Sequence, residues 1–276
     1  MATTAFNALY RQEFISAFAQ RESLTRKTVT TEAQVNGSTC IFLVAGNSSD
    51  TAVTRGTNGL IPAVANSYTT KTATLVEWHD LRRETRFNIE LGQGDHRRVM
   101  QMESMAVINR KIDDDIITEL NTATQDTGAA ATADLSMVMY GIAILGNSFV
   151  PMDGNISALI SPAFYAYLMQ TKEFASADFV SNKPFTSGSR MFTWAGVNFI
   201  VHNNLPGAGT NAEKCFLYHK NAIGHACDTA NIGVKAGYDE EQDYSWARTS
   251  AFMGSKILQN SGIVVLNHDG SAYAAQ

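Results

Sequence analysis

The longest uninterrupted periodic stretch in the chain runs from Asp95 to Thr124, without a Gly or a Pro. Its apolar positions fall at Val99, Met102, Met105 with Ala106, Ile112, Ile116, Leu120 and Ala123, steps of three and four that place one stripe on one helical face. Gly94 and Asp95 mark its start and Gly128 lies past its end. At about 1.5 Å per residue such a helix is ~45 Å long, the width of a whole small domain. The stripe is narrow and contains Asn109, so the helix is expected to lie along a thin layer rather than through a thick globule.

The remaining pattern mixes helices and strands without βαβ regularity, and predicts an α+β fold. Phe6, Leu9, Tyr10, Phe14, Ala17 and Phe18 have helical spacing, so residues 4–20 read as an amphipathic helix; its polar face is not basic, which favours packing over membrane anchoring. Ser38 to Val44 reads as a buried strand. Residues 45–70 carry no Lys and show no period able to bury a face, yet they hold Arg55, Leu60, Ile61, Val64 and Tyr68. A loop of this length in a compact domain is usually disordered or in contact with something else, and a two-stranded excursion is marginal alone. Alternation returns from Lys71 and runs through Thr85, Phe87, Ile89 and Leu91, predicting a strand with one packed side.

Asp134 caps a short apolar helix that Gly146 should end, and residues 156–160 form a strand. Ser161-Pro162 starts another helix. Residues 174–190 read as loop, 191–201 as a hairpin around Gly196, and Leu205-Pro206-Gly207 as a turn. Strands are predicted in the segment KCFLYHK, from Tyr244 to Phe252 with a bend at Gly254, and from Gly262 to Leu266.

Composition then narrows the function. Of the 276 residues 45% are hydrophobic and 17% charged, against a norm of about 25% charged, so much of the surface must be uncharged or covered by other chains. A formal charge of −5 argues against binding through clustered bases and counterion release. Cys40, Cys215 and Cys227 are odd in number and far apart, which fits a reducing compartment; no apolar run approaches a membrane span.

Catalytic chemistry is not legible. Asp113, Asp114 and Asp115 cannot close on one metal ion, because consecutive helical residues point about 100° apart; they read as a solvated or intersubunit face, with Arg110 in reach of Asp114 and Lys111 of Asp115. Cys215, His219, His225 and Cys227 match no zinc spacing, and Asp153 to Ser157 starts like a calcium loop that has Phe164 where a carboxylate belongs. Gly92-x-Gly94 is followed by Arg97 at the third glycine position of a dinucleotide fingerprint. No cofactor or metal is expected. Arg82, Arg83, Arg86, His96, Arg97 and Arg98 form the one positive concentration, with three of them at a helix start where the dipole disfavours them. They are balanced by Glu77, Asp80, Glu84 and Glu90, or they meet acids of a neighbouring copy, such as Asp113 to Asp115 or the cluster Asp239, Glu240, Glu241 and Asp243.

The order of parts resembles the major capsid proteins of tailed bacteriophages, the Hong Kong 97-like shell fold also used by encapsulin compartments. The stretches that carry the resemblance are Thr72 to Asp113, the ISPAFYAYL step from strand to helix, and the late run from FLYHKNAIGHACD to SKIL. The resemblance implies an N-terminal arm over residues 1–44 and an extended loop over 45–70 that lies on a neighbouring subunit. It implies a peripheral domain over 71–128 with its spine helix at 95–124, an axial domain over 129–228, and a return to the peripheral domain over 229–276. It further implies pentamers and hexamers of the chain in an icosahedral shell around double-stranded DNA, in the virion, after assembly in the host cytoplasm. The implied partners are a separate scaffolding protein, since the arm begins almost at Met1, a portal protein at one vertex and a decoration protein; packaged DNA makes only weak contact and no membrane is involved. The extended loop has no Lys, which implies locking without covalent cross-links. Candidate interface residues are Arg55, Leu60, Ile61, Tyr68, Arg82, Arg83, Arg97, Arg98, Asp113, Asp114 and Asp115. The alternatives are an encapsulin-like compartment for a cargo enzyme and, in another class, a metal-dependent hydrolase using the Cys/His group.

Overall fold

The computed structural model describes residues 20–32, 35, 37–46, 51–63, 66–91, 95–175, 191–228 and 233–273. The amphipathic helix expected at 4–20 and most of the loop expected at 174–190 lie outside these residues. In chain order the elements are β1 (Thr30–Glu32), β2 (Thr39–Ala45), β3 (Tyr68–Thr74), β4 (Val76–Thr85), α1 (Arg86–Leu91), α2 (His96–Leu120) and α3 (Leu135–Asn147). There follow β5 (Ile156–Ile160), α4 (Pro162–Gln170), α5 (Lys172–Ala175), β6 (Met191–Trp194), β7 (Val197–Val201) and β8 (Glu213–His219). The last are β9 (Ile223–Cys227), β10 (Gly233–Asp239), β11 (Tyr244–Ile257) and β12 (Ile263–His268).

The first sheet is built on β11. Its first ten residues pair with β4 on one edge while β10 occupies the other, and its last five pair with β9, to which β1 adds in parallel. Along β11 the buried positions alternate through Ser245, Ala247, Thr249, Ala251 and Met253, and α2 lies across this side. Small residues there let the helix approach closely, and Ser104 of α2 sits 2.9 Å from the Thr249 hydroxyl. The second sheet has the order β12-β8-β5-β7-β6. Every residue of β5 is buried, and α3 packs on β12. Gly141 makes that packing possible, since a Cβ at this position would lie 3.0 Å from Leu266 and 3.1 Å from Leu217. β2 and β3 form a separate antiparallel hairpin.

Several expectations hold at residue level. Asp95, Asp134 and Ser161 accept backbone hydrogen bonds at the starts of α2, α3 and α4. Ala195 and Gly196, both with positive φ, turn the β6–β7 hairpin. Others are corrected. The strand predicted through Leu91 stops at Thr85, which faces Tyr244, the first residue of β11. Past that register the ladder has no partner, so Arg86 to Leu91 coil into α1, leaving Phe87 exposed. The long helix has 25 residues, about 37 Å, and ends at Leu120 rather than Thr124. Its stripe holds from Ile112 to Leu120, but in the first half the buried residues are Met100, Ser104, Ala106 and Ile108, while Met102 and Met105 are exposed. The linear segmentation also fails at two strands: β9 lies in the first sheet and β12 in the second, because each completes a ladder laid down far from it in sequence.

Gly254 does not bend β11, which continues through it. It admits a crossing of backbones, since a Cβ there would lie 2.1 Å from the Thr74 carbonyl oxygen at the base of the hairpin. Gly254→Ala should therefore cost roughly 1–3 kcal/mol and lower the thermal midpoint by several degrees. Gly233→Ala, where nothing lies within 4 Å, should leave the midpoint within a degree or two, and equal effects would refute the crossing as the cause.

Candidate functional site

Within the acidic run of α2, Asp113 faces inward, contrary to the solvated or intersubunit face expected of it, while Asp114 and Asp115 are half-buried. Asp113 is fully buried. Its carboxylate accepts hydrogen bonds from Gln20, from the hydroxyls of Ser23 (2.5 Å) and Thr25 (2.6 Å), and from the backbone N–H groups of Leu24 and Thr25, both 3.1 Å. His202 Nε2 lies 3.4 Å away, while its Nδ1 accepts from the Asn204 N–H, which leaves the ring proton on the side of Asp113. One turn earlier, Asn109 donates to the Arg21 carbonyl at 2.8 Å. Asp114 accepts from Asn204 Nδ2 at 2.6 Å, and Asp115 from the Ser255 hydroxyl at 2.6 Å. Glu119 accepts from Ile257 N–H at 3.0 Å and pairs with Lys256. Lys111 sits 4.1 Å over the Trp78 ring. These carboxylates fasten the entering chain and both sheets to the helix.

The basic concentration is similarly engaged. Arg82 pairs with Asp80 and Glu103, His96 with Glu84 at 2.9 Å, and the Arg83 guanidinium lies 5.0 Å over Tyr244. The Arg98 side chain is exposed, its backbone N–H capped by Asp95; the side chain of Arg97 lies outside the described residues. Arg82, Arg83, Glu84, His96, Val99 and Met100 border an open groove of about 640 Å³. The acidic turn before β11 closes on itself, with Asp239 accepting from Glu241 and Gln242 N–H groups and Tyr238 donating to Asp243.

The hairpin is different. On its inner side Cys40, Phe42 and Ala73 pack on the first sheet, where a Cβ on Gly224 would touch the Phe42 ring at 2.8 Å. On its outer side Ile41 and Leu43 are 65% and 69% exposed, and Tyr68, paired with Ala45, lies on the same face. At the tip Arg55 donates to the Gly59 carbonyl at 2.7 Å and Gly56 N–H to the Leu60 carbonyl, so a closed turn presents Leu60 and Ile61 to solvent. Ile41 and Leu43 were missing from the sequence-derived set because STCIFLV reads as a run buried on both sides; the polar threonines paired opposite them were the available signal.

The Cys/His group is divided. Cys215 and His219 belong to β8 in the second sheet, His225 and Cys227 to β9 in the first. Burial pushes the Cys215 and Cys227 thiols up, away from the thiolate a metal needs. Asp153 is held down at about 2, chiefly by the Asn155 side chain and then by its backbone N–H, in a local turn that also meets His219 at 3.2 Å. No group of three His, Cys, Asp or Glu able to hold a metal occurs among the described residues, and no described helix is long and apolar enough to cross a membrane.

A family model described as phage capsid protein matches residues 2–270. The chain belongs to that family. Its fold is that of solved capsid chains. A chain from Mycobacterium phage Che8 superposes with a TM-score of 0.77 at 16% identity, covering 96% of this chain and 98% of that one. A chain of the cyanophage Pam1 capsid gives 0.77 at 11% identity, covering 98% of each. One from the capsid of a native GTA particle gives 0.69 at 12%, covering 98% and 99%. A search of curated proteins finds no match. The capsid chain is thus a structural protein of a phage shell with the α+β Hong Kong 97-like fold, and its distinctive surfaces are those left apolar after the internal charges are satisfied.

Asp113 of the capsid chain yields a signed pH prediction. Burial alone would raise its carboxyl, but hydrogen bonds from His202, Ser23, Thr25 and the Leu24 N–H outweigh it and lower it from 3.8 to about 2. The depressed value contributes about 2 kcal/mol, fully present above pH 4 and lost as pH falls through 2. Asp113→Asn should destabilise the subunit by that amount at pH 7, and urea melts of the two proteins should converge between about pH 4 and pH 2. A gap that does not narrow on acidification would show that the charge is not what the donors recognise.

Proposed function

We propose that the chain is the major shell subunit of a tailed phage, assembling with copies of itself as pentamers and hexamers into a closed icosahedral container for double-stranded DNA, without catalysis. The observation that carries this reading is the hairpin, whose outer face and tip present Ile41, Leu43, Leu60, Ile61 and Tyr68 to solvent while its other face is packed. An exposed apolar strip of this kind marks a surface for interaction, and a neighbouring copy supplies its cover at every position of a shell. Arg55, Leu60, Ile61 and Tyr68 are then the contact residues, joined by Ile41 and Leu43, by Arg82 and Arg83 on the groove beside α2, and by Arg97 and Arg98 in the first turn of that helix; half-buried Asp114 and Asp115 stay in the set, whereas fully buried Asp113 is not among them.

The first sheet with α2 serves as the peripheral part and the second sheet with α3 and α4 as the axial part. Shell formation proceeds in the host cytoplasm with a separate scaffolding protein and a portal protein at one vertex. The loop without Lys locks to its neighbour non-covalently, and a net charge of −5 keeps contact with packaged DNA weak. The description of the matched family favours a phage shell over an encapsulin-like compartment.

Negative-stain imaging of the purified protein, with and without a co-expressed scaffolding protein, tests the reading directly. Deleting residues 51–63 should leave the thermal midpoint within about 2 °C of the parent and abolish closed shells; normal shells from the deletion variant would refute the hairpin's role.

A further inference from the structure

α3 ends in a cap that has the wrong residue for its backbone. The Val150 N–H donates to the Leu145 carbonyl at 3.1 Å and the Phe149 N–H to the Gly146 carbonyl at 3.0 Å, the paired bonds that close a helix through a left-handed residue. That residue is Phe149, at φ +57, where Gly is favoured because it has no Cβ to strain. The phenyl ring recovers nothing within the subunit, since it is 85% exposed. Tyr140 on the same helix and Met152 just past it are exposed as well, and no charged residue occurs from Leu135 to Met152. A surface element that is strained, aromatic and free of charge is of use only against another surface.

A receptacle of fitting size lies on the same chain. A cavity of about 310 Å³ opens beside the edge strand β6, with Leu24, Phe192 and Ile200 supplying apolar wall and Lys27, Thr193 and Lys220 among its polar residues. The lysines favour the face of an aromatic ring over an aliphatic side chain. We propose that Phe149 of one copy seats in this cavity of the next copy. Knob and receptacle are different patches, so the contact is heterologous and propagates from copy to copy, closing into a ring when the rotation permits. The proposal rests on self-assembly of the chain and adds a second, residue-specific contact to the one made by the hairpin.

The test exploits opposite signs. Phe149→Gly should melt at or above the wild-type temperature, because the cap is relieved, yet should raise the subunit concentration needed for shell formation by about tenfold or more. A Phe149→Cys/Thr193→Cys variant, in which Cys40, Cys215 and Cys227 are buried and silent, should form disulfide-linked oligomers in shells under mild oxidation and stay monomeric as dilute subunit. Shells from Phe149→Gly at the wild-type concentration would overturn the proposal. So would a disulfide closed within one chain, a cross-link made only to a co-expressed scaffolding protein, or no cross-link in intact shells. Wild-type protein that forms no shells under any condition would instead strike at the proposed function.

Discussion

A carboxylate with no exposed surface must be surrounded by donors, and Asp113 draws them from parts of the chain that are remote in sequence. The segment entering the body at residues 20–25 supplies its hydrogen bonds, and the ring of His202, just past β7 in the second sheet, lies 3.4 Å away. Since the helix that carries Asp113 also lies across the first sheet, one buried charge defines where the entering chain, the first sheet and the second sheet meet. Asp114, Asp115 and Glu119 extend the same seam along the helix through Asn204, Ser255 and Ile257. A seam of charge-assisted bonds is directional where a purely apolar one is not, so the two sheets are held at a definite position on a thin support.

This internal use of charge explains the character of the outside. Arg82, His96, Lys111 and Lys256 have partners within the subunit, which leaves a surface poor in free charge. The hairpin's outer face, Phe87 and the end of α3 stand out on it as apolar patches. In a self-contained monomer these would be liabilities. The chain belongs to the phage capsid family, and the hairpin face and the end of α3 are the patches proposed above to be covered by neighbouring copies.

Much of this was legible in the residues. Caps at Asp95, Asp134 and Ser161, the turn at Gly196 and the apolar stripe from Ile112 to Leu120 are local signals, and local physics decides them. What could not be read depended on pairing across long sequence distances. The alternation from Thr85 to Leu91 is a sound strand pattern, but β11 has no residue left to pair with it. Three adjacent aspartates look solvated until the chain entering ninety residues upstream folds back over the first of them. Gly146 carries the usual sign of a helix end, yet the left-handed position fell to Phe149, because the bond pattern and not the residue type sets where the last turn closes. The hairpin was placed correctly as an excursion, but which of its faces is dry follows from Gly224 beneath Phe42, a contact that no periodicity reveals.

The architecture of β11 bears on how such a molecule carries load. One half of the strand is hydrogen-bonded to β4 and β10 together, and the other half to β9. Tension along its axis is therefore resisted by many ladder bonds sheared at once, and rupture cannot proceed by peeling them one by one. The hairpin base crosses this strand at Gly254, close to where its neighbours change. Any pull applied to the hairpin is thus delivered to the part of the subunit most resistant to being torn.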